Sequence, residues 1–298
     1  MPEEVKVAVV GLGSMGYGMA TSCLRAGLRT WGSDLNAEAA RRFGREGGET
    51  GPLPGDLDAV VVVVLNAAQT EAVLFGDAGV VRNLPEGAVV IACATVSPEF
   101  AKAMEARCAE SGVLYLDAPI SGGSVKAAEG NLSIMTSGTS EAFSAARPVL
   151  DATASTVFEL GNAAGAGSAM KTVNQLLAGV HIAAMAEAIT LGMTQGISPG
   201  QFLDVIAKCA GTSWMLENRA PHIVDGDYTP RSSISIWPKD LGIVLEVAKS
   251  AGFSAPITAT ALQQYMVAVG LGLGQEDDAA IAKVYARNAG LELPGENE

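Results

Sequence analysis

A single lysine, Lys171, stands in the middle of the stretch GNAAGAGSAMKTVNQLLAG at residues 161–179, with no acidic residue within nine positions on either side. Its neighbours are small or apolar, so the pattern predicts a helix on which this side chain is desolvated. Desolvation favours the neutral amine, the form that can take a proton. Asn174 and Gln175 follow three and four positions on, share the lysine's face of the helix, and can hold a hydroxyl or a carboxylate. A solvated helix lysine or an interface cation is the alternative reading. The chain has two histidines. His181 comes ten residues after Lys171 and points about 80° away from it by the helical repeat, which suits a core or interface position. His222, in Ala220-Pro221-His222-Ile223, reads as a surface or packing residue.

Two glycine-rich segments could hold anions. Asp117-Ala118-Pro119-Ile120-Ser121-Gly122-Gly123 follows a predicted strand. A hydroxyl and two glycine N–H groups can meet a carboxylate there, or the segment is simply a turn. Gly11-Leu12-Gly13-Ser14-Met15-Gly16 is a GxGxxG with an apolar strand before it, a helix after it, and Asp34 about twenty residues on. That context predicts a dinucleotide site. Gly11 makes the turn, Gly13 lets the backbone approach a pyrophosphate, and Gly16 lets helix and strand close. Phosphate sits at the helix N-terminus. A carboxylate at Asp34 accepts from a ribose 2′-OH and repels a 2′-phosphate, so NAD is favoured over NADP; a turn or N-cap aspartate is the alternative.

The elements that must position these groups alternate. Strands are expected at 5–10, 30–33, 59–65, 88–92 and 114–116, with helices at 14–26, 37–42, 69–74 and 98–111. Strand and helix in turn imply a doubly wound parallel sheet. From about Gly165 long Ala/Leu/Met patterns take over, led by a helix at 168–192. The expected fold is α/β: a Rossmann-type domain at 1–163, then an all-helical substrate and dimerisation domain at 164–298. Loops are expected at 225–230 and 270–278, and a frayed tail at 294–298.

The chain has 298 residues, 49% apolar and 17% charged, with a net charge of −13. That length fits two domains. The charge argues against nucleic acid and anionic membranes as partners, but leaves room for a locally positive pocket and a small anionic substrate. The four cysteines are scattered without a CxxC pair, no metal site is expected, and no signal peptide is visible. The longest aliphatic run, 59–65, is too short to span a bilayer. A cytoplasmic protein is expected. The Ala-rich helices suggest a homodimer or homotetramer.

Taken together, these stretches resemble the β-hydroxyacid dehydrogenase family, which includes 3-hydroxyisobutyrate dehydrogenase and tartronate semialdehyde reductase. VAVVGLGSMGYGMA looks like its cofactor signature, CATVS at 93–97 like its T-x-S segment, DAPISGG like DAPVSGG with Ile120 for valine, and GAGSAMKTVNQ at 165–175 like its catalytic motif. Lys239-Asp240-Leu241 resembles its KDL segment. The resemblance implies Lys171 as general acid/base, Ser121, Gly122, Gly123, Asn174 and Gln175 as substrate ligands, and Thr95 beside the nicotinamide. It also implies Lys239 reaching the cofactor, with Leu65 and Asn66 beside it. QLLAGVHIAAMAEA and GTSWMLENRAPHIV are most similar to the L-threonate dehydrogenase branch, which implies NAD-dependent oxidation of a four-carbon sugar acid. Substrates of the 3-hydroxyisobutyrate, tartronate semialdehyde or 4-hydroxybutyrate type are the alternative. A non-catalytic NAD-binding scaffold is the alternative of another class. Ser213, Trp214, Asn218 and Arg219 are expected to read the far end of a polyhydroxy acid, unless Trp214 packs between subunits and Arg219 pairs with an acid. Trp237 is expected to reshape the pocket.

Overall fold

The computed structural model describes residues 4–296. Its first half alternates β1 (Lys6–Val10), α1 (Gly16–Arg25), β2 (Arg29–Ser33), α2 (Ala37–Arg45), β3 (Ala59–Val62), α3 (Ala67–Phe75), β4 (Val89–Ala92), α4 (Pro98–Ala109) and β5 (Leu114–Asp117). The five strands are all parallel, in the order β2-β1-β3-β4-β5. Chain order reverses at β1, which lies between β2 and β3, so a crevice opens beyond the carboxyl end of β1.

The three central strands, β1 after Lys6, β3 and β4, read as unbroken Val/Ile/Ala runs because both faces are covered. Val7, Val9, Val61, Val89 and Ile91 enter a cluster with Met19 and Cys23 of α1. Their neighbours Ala8, Val60, Val62 and Val90 enter a second cluster with Ala101, Met104 and Cys108 of α4. The run at 59–65 is strand only to Val62, and Leu65 is exposed.

A second, three-stranded sheet follows that the sequence pattern does not announce. It contains β6 (Ile120–Ser121), β7 (Leu132–Thr136) and β8 (Ala154–Glu159), in that order, with α5 (Gly123–Glu129) and α6 (Ser140–Thr153) between them. β6 is two residues long, which is too short to show a period. Next comes α7 (Ala166–Thr194), a helix of 29 residues. The remaining helices are α8 (Pro199–Ile206), α9 (Trp214–Asp225), α10 (Ile236–Ser250), α11 (Pro256–Gly270) and α12 (Ala282–Ala289).

The chain divides into two compact units between Lys171 and Thr172, inside α7 rather than at the hinge ahead of it. The first turns of this helix are bonded into the first unit, as detailed below. By length and apolar composition alone α7 could cross a bilayer, yet its Ile182, Met185, Ala186 and Ile189 belong to the core of the helical unit. There α7 and α10 meet at Gly179, where a Cβ would lie 2.9 Å from the Trp237 ring. The tail expected to fray is held as far as Glu296: the Leu293 N–H donates to its carboxylate at 2.9 Å. Residues 297–298 lie outside the described residues.

Cys23, Cys93 and Cys108 are free and buried, and Cys209 is free and exposed. Burial pushes the first three thiols up to about 12, so little thiolate is available for attack. A colorimetric thiol reagent at pH 8 should therefore titrate one group in the native protein and all four after unfolding. Rapid labelling of two or more native thiols would contradict this packing.

Candidate active site

The predicted residues of the first unit gather at the carboxyl edge of the parallel sheet. Gly11 follows β1, Asp34 follows β2, Leu65 and Asn66 follow β3, Thr95 follows β4, and Ser121 to Gly123 come shortly after β5. The chain turns at Gly11 with φ +96°, and a Cβ there would sit 2.2 Å from the Val63 carbonyl oxygen. At Gly16 a Cβ would lie 1.8 Å from the carbonyl oxygen of Gly11. Both positions therefore need glycine for packing. At Gly13 a Cβ would meet nothing within 4 Å, and Gly13 and Ser14 are exposed. Space is thus kept over the middle of the loop, where a pyrophosphate would approach.

The helices that follow β1 to β4 differ in how they begin. The N–H groups of a first turn lack intrahelical partners and have to be satisfied otherwise. Side chains do this for α2 (Asn36), α3 (Asn66), α4 (Ser97) and α6 (Thr139). In contrast, α1 has Met15 at its N-cap position and no side-chain cap; the Tyr17 N–H donates to the Gly13 carbonyl at 3.0 Å, and the end of the helix is otherwise left without a side-chain acceptor, as phosphate binding needs. Asn66, predicted as a cofactor contact, accepts from the Gln69 N–H at 2.9 Å, and Gln69 accepts from the Leu65 N–H at 2.8 Å. Thr95 is half-buried, two residues before the cap of α4.

The half-buried Asp34 carboxylate accepts from the Leu12 N–H at 2.6 Å and from the Asn36 N–H at 2.7 Å. Asn36, not Asp34, caps α2. Asp34 therefore ties the glycine loop to the end of β2. A carboxylate offers about four acceptor positions, so two remain for a ribose diol. The loop, the uncapped α1 and Asp34 together fit the phosphates and ribose of NAD.

Gly122 and Gly123 turn at φ +137° and +79°, leaving Ser121 at the end of β6 with two glycine N–H groups beside it. Lys171 is 8% exposed, and its ammonium nitrogen donates to the Ile120 carbonyl at 2.8 Å. The lysine and the Ser-Gly-Gly segment thus lie next to each other. In the helical unit, the Asn174 amide donates to Gln175 Oε1 at 3.0 Å, and the Gln175 amide donates to Asp240 Oδ2. The Lys239 ammonium lies 2.5 Å from Asp240 Oδ1. Asp240 is 2% exposed and joins two predicted residues, a role that its place in a Lys-Asp-Leu triplet does not announce.

Comparison with known proteins gives one answer. Residues 6–161 match the profile described as the NAD binding domain of 6-phosphogluconate dehydrogenase. Residues 165–285 match the one described as NAD-binding of NADP-dependent 3-hydroxyisobutyrate dehydrogenase. L-threonate dehydrogenase of Cupriavidus necator is 50% identical, covering 98% of this chain and 99% of its own. The chain belongs to the β-hydroxyacid dehydrogenase family. Among solved structures, 3-hydroxyisobutyrate dehydrogenase from Salmonella typhimurium superposes with a TM-score of 0.89 at 46% identity, over 94% of this chain and 100% of that one. The Mycobacterium tuberculosis 3-hydroxyisobutyrate dehydrogenase with L-serine gives 0.84 at 27%, over 95% and 99%. The protein is accordingly an NAD-binding oxidoreductase that acts on the hydroxyl group of a hydroxy acid, with a Rossmann-type unit followed by a helical one.

The structure corrects the pocket reading of Trp237 and bears out the alternative for Arg219, pairing with an acid. Trp237 is core: it is 3% exposed, stacks on Tyr265 with centroids 5.6 Å apart, and donates its indole N–H to Asp278 at 3.1 Å. Arg219 pairs with the same buried Asp278 and donates to Asn218. Ser213 caps α9, accepting from the Leu216 N–H at 3.1 Å, and Trp214 is exposed at the first position of that helix. His222 is buried, with Nδ1 2.8 Å from Asp277 and Nε2 against Arg231. Asp277 and Asp278 come from a segment that reads as an acidic surface loop, GQEDDAA. Burial raises Asp278 above the usual carboxylate range, opposed by Arg219 and Trp237.

Because Asp278 is fully buried, removing its cation leaves a charge without compensation. Arg219→Ala is expected to cost about 3–5 kcal/mol of stability, read from urea unfolding midpoints. Unchanged stability with altered substrate choice would return Arg219 to the pocket.

Proposed function

We propose that this dehydrogenase oxidises a four-carbon sugar acid, L-threonate, with NAD and with Lys171 as the proton acceptor. The observation that carries the mechanism is the buried Lys171 Nζ on the Ile120 carbonyl, one residue before Ser121. The Ser121 hydroxyl and the Gly122 and Gly123 N–H groups hold the substrate carboxylate. Asn174 and Gln175, one turn beyond Lys171 on α7, hold the hydroxyls. Lys171, as the neutral amine, takes the proton of the hydroxyl that becomes the carbonyl and returns it in the reverse reaction. NAD, when bound, supplies the hydride acceptor. The glycine loop of residues 11–16 and the start of α1 hold its phosphates, Asp34 holds the ribose of its adenosine, Thr95 lies beside its nicotinamide, and Leu65, Asn66 and Lys239 are further cofactor contacts.

The choice of substrate rests on the relatives. Five proteins named L-threonate dehydrogenase are 44–50% identical over 98% or more of this chain. Those named for 2-(hydroxymethyl)glutarate, L-serine and 3-hydroxyisobutyrate are at 33%, 30% and 32%. The solved Salmonella structure named for 3-hydroxyisobutyrate, at 46%, keeps that acid as the second reading. An exposed apolar stripe on α7, Met170, Val173 and Leu177, supports a homodimer or homotetramer, and the free thiols support a cytoplasmic enzyme.

NADH formation at 340 nm against L-threonate, D-threonate, D-erythronate, 3-hydroxyisobutyrate, glycerate and L-serine tests the substrate. The expected result is the highest kcat/KM with L-threonate and NAD. Preference for 3-hydroxyisobutyrate would replace the sugar acid with the second reading. Lys171→Ala should lower kcat about 10²–10⁴-fold while NAD still binds; a variant that keeps wild-type kcat removes the lysine from the mechanism. Asp34→Ser removes the charge that repels a 2′-phosphate, so kcat/KM with NAD should fall relative to that with NADP.

A further inference from the structure

The Asp117 carboxylate is buried, 1% exposed, at the end of β5. It takes part in none of the substrate contacts proposed above. Burial raises its proton affinity, opposed by hydrogen bonds from Ser168, Gly165 and Ser137. A carboxylate placed there without partners would be strongly unfavourable, so what it holds defines its use.

All of those partners concern the start of α7. Oδ2 accepts from the Gly165 N–H at 2.9 Å and the Ser168 N–H at 2.8 Å, and Oδ1 from the Ser168 hydroxyl at 2.7 Å. The Ser137 hydroxyl donates to Oδ2 at 3.3 Å and accepts from the Gly167 N–H at 2.9 Å. Three donors of the helix start, from Gly165, Gly167 and Ser168, thus end on Asp117 directly or through Ser137. Gly167 lets the turn seat: a Cβ there would lie 2.5 Å from the Met135 carbonyl oxygen.

Ser168 and Lys171 are one turn apart on one face of α7. Asp117 and Ile120, which receive them, are three residues apart on a single segment. The helix is therefore attached at two points, and the same segment continues into Ser121, Gly122 and Gly123. A slip of one residue would turn the lysine by about 100° and take it off the Ile120 carbonyl.

We propose that Asp117 is a positioning residue that fixes Lys171 relative to the Ser-Gly-Gly segment by holding the first turn of α7; the proposal rests on the reading of Lys171 as the proton acceptor. Asp117→Ala removes both acceptor oxygens and leaves the Gly165 and Ser168 N–H donors without their partner. Misplacing a reacting group by about 1 Å can cost on the order of 10²-fold in rate, and a loss of that size in kcat is expected for Asp117→Ala, with a smaller change in KM.

A double-mutant cycle with Lys171→Ala separates positioning from general damage. In the Lys171→Ala background, assayed at high enzyme concentration, Asp117→Ala should lower the residual rate no further. If Asp117→Ala costs the same factor with and without Lys171, or costs nothing in the wild type, the positioning role is wrong. Near-ultraviolet circular dichroism and NAD binding check folding of each variant. Should Asp117→Ala fail to fold, Ser168→Ala carries the cycle, with a smaller loss that also disappears without Lys171. Lys171→Ala at wild-type kcat overturns the acid/base reading itself. An impaired Lys171→Ala combined with multiplying losses overturns only the role of Asp117.

Discussion

Helix α7 begins inside the protein, so its first N–H groups have to end on something other than water. The arrangement of the first unit follows from how that requirement is met. Asp117 and Ser137 take the donors of Gly165, Gly167 and Ser168, which brings the helix start against the ends of β5 and β7. The same requirement is left unmet by side chains at α1, where the loop is open above Gly13. One helix start is closed with a carboxylate of the chain itself, and another is left for the phosphates of a bound dinucleotide.

This use of main-chain N–H groups explains how a chain with a net charge of −13 handles anions. Its arginines are mostly engaged in surface pairs, such as Arg41 and Arg45 with Glu38 or Arg107 with Glu71. The positive end of a helix and the N–H groups of a glycine turn provide local attraction without adding a side-chain cation. In the proposed mechanism a single buried lysine, Lys171, then suffices where a proton has to move. Exposed arginines clustered at the crevice would favour a 2′-phosphate as readily as a pyrophosphate.

Much of this was legible in the sequence because the signals are local. The GxGxxG loop, the acid after β2, the Ser-Gly-Gly turn and the lone lysine are short patterns whose meaning depends on the element before and after them. The helical unit was legible as helices but not as a packed core. Asp277 and Asp278 sit in a Gly- and Asp-rich stretch that reads as solvated, yet both are fully buried, because His222 and Arg219 reach them from α9 across more than fifty residues. Trp237 looked like a pocket residue for the same reason: the glycine that makes room for it, Gly179, lies on another helix. Asp117 was read as part of a motif without a task, since its partners come from residues 137 and 165–168. Pairings over such separations leave no periodic trace in the chain.

The three glycines of the nucleotide loop are held by two different kinds of selection. Gly11 and Gly16 touch the backbones of Val63 and of each other, so they are fixed by folding, whatever the chain binds. Gly13 faces open space and is fixed only by what approaches it. In a lineage that kept this fold but gave up its cofactor, Gly13 would be the first of the three to drift, while the other two stayed. The loop thus carries a record of use, separable position by position from the record of fold.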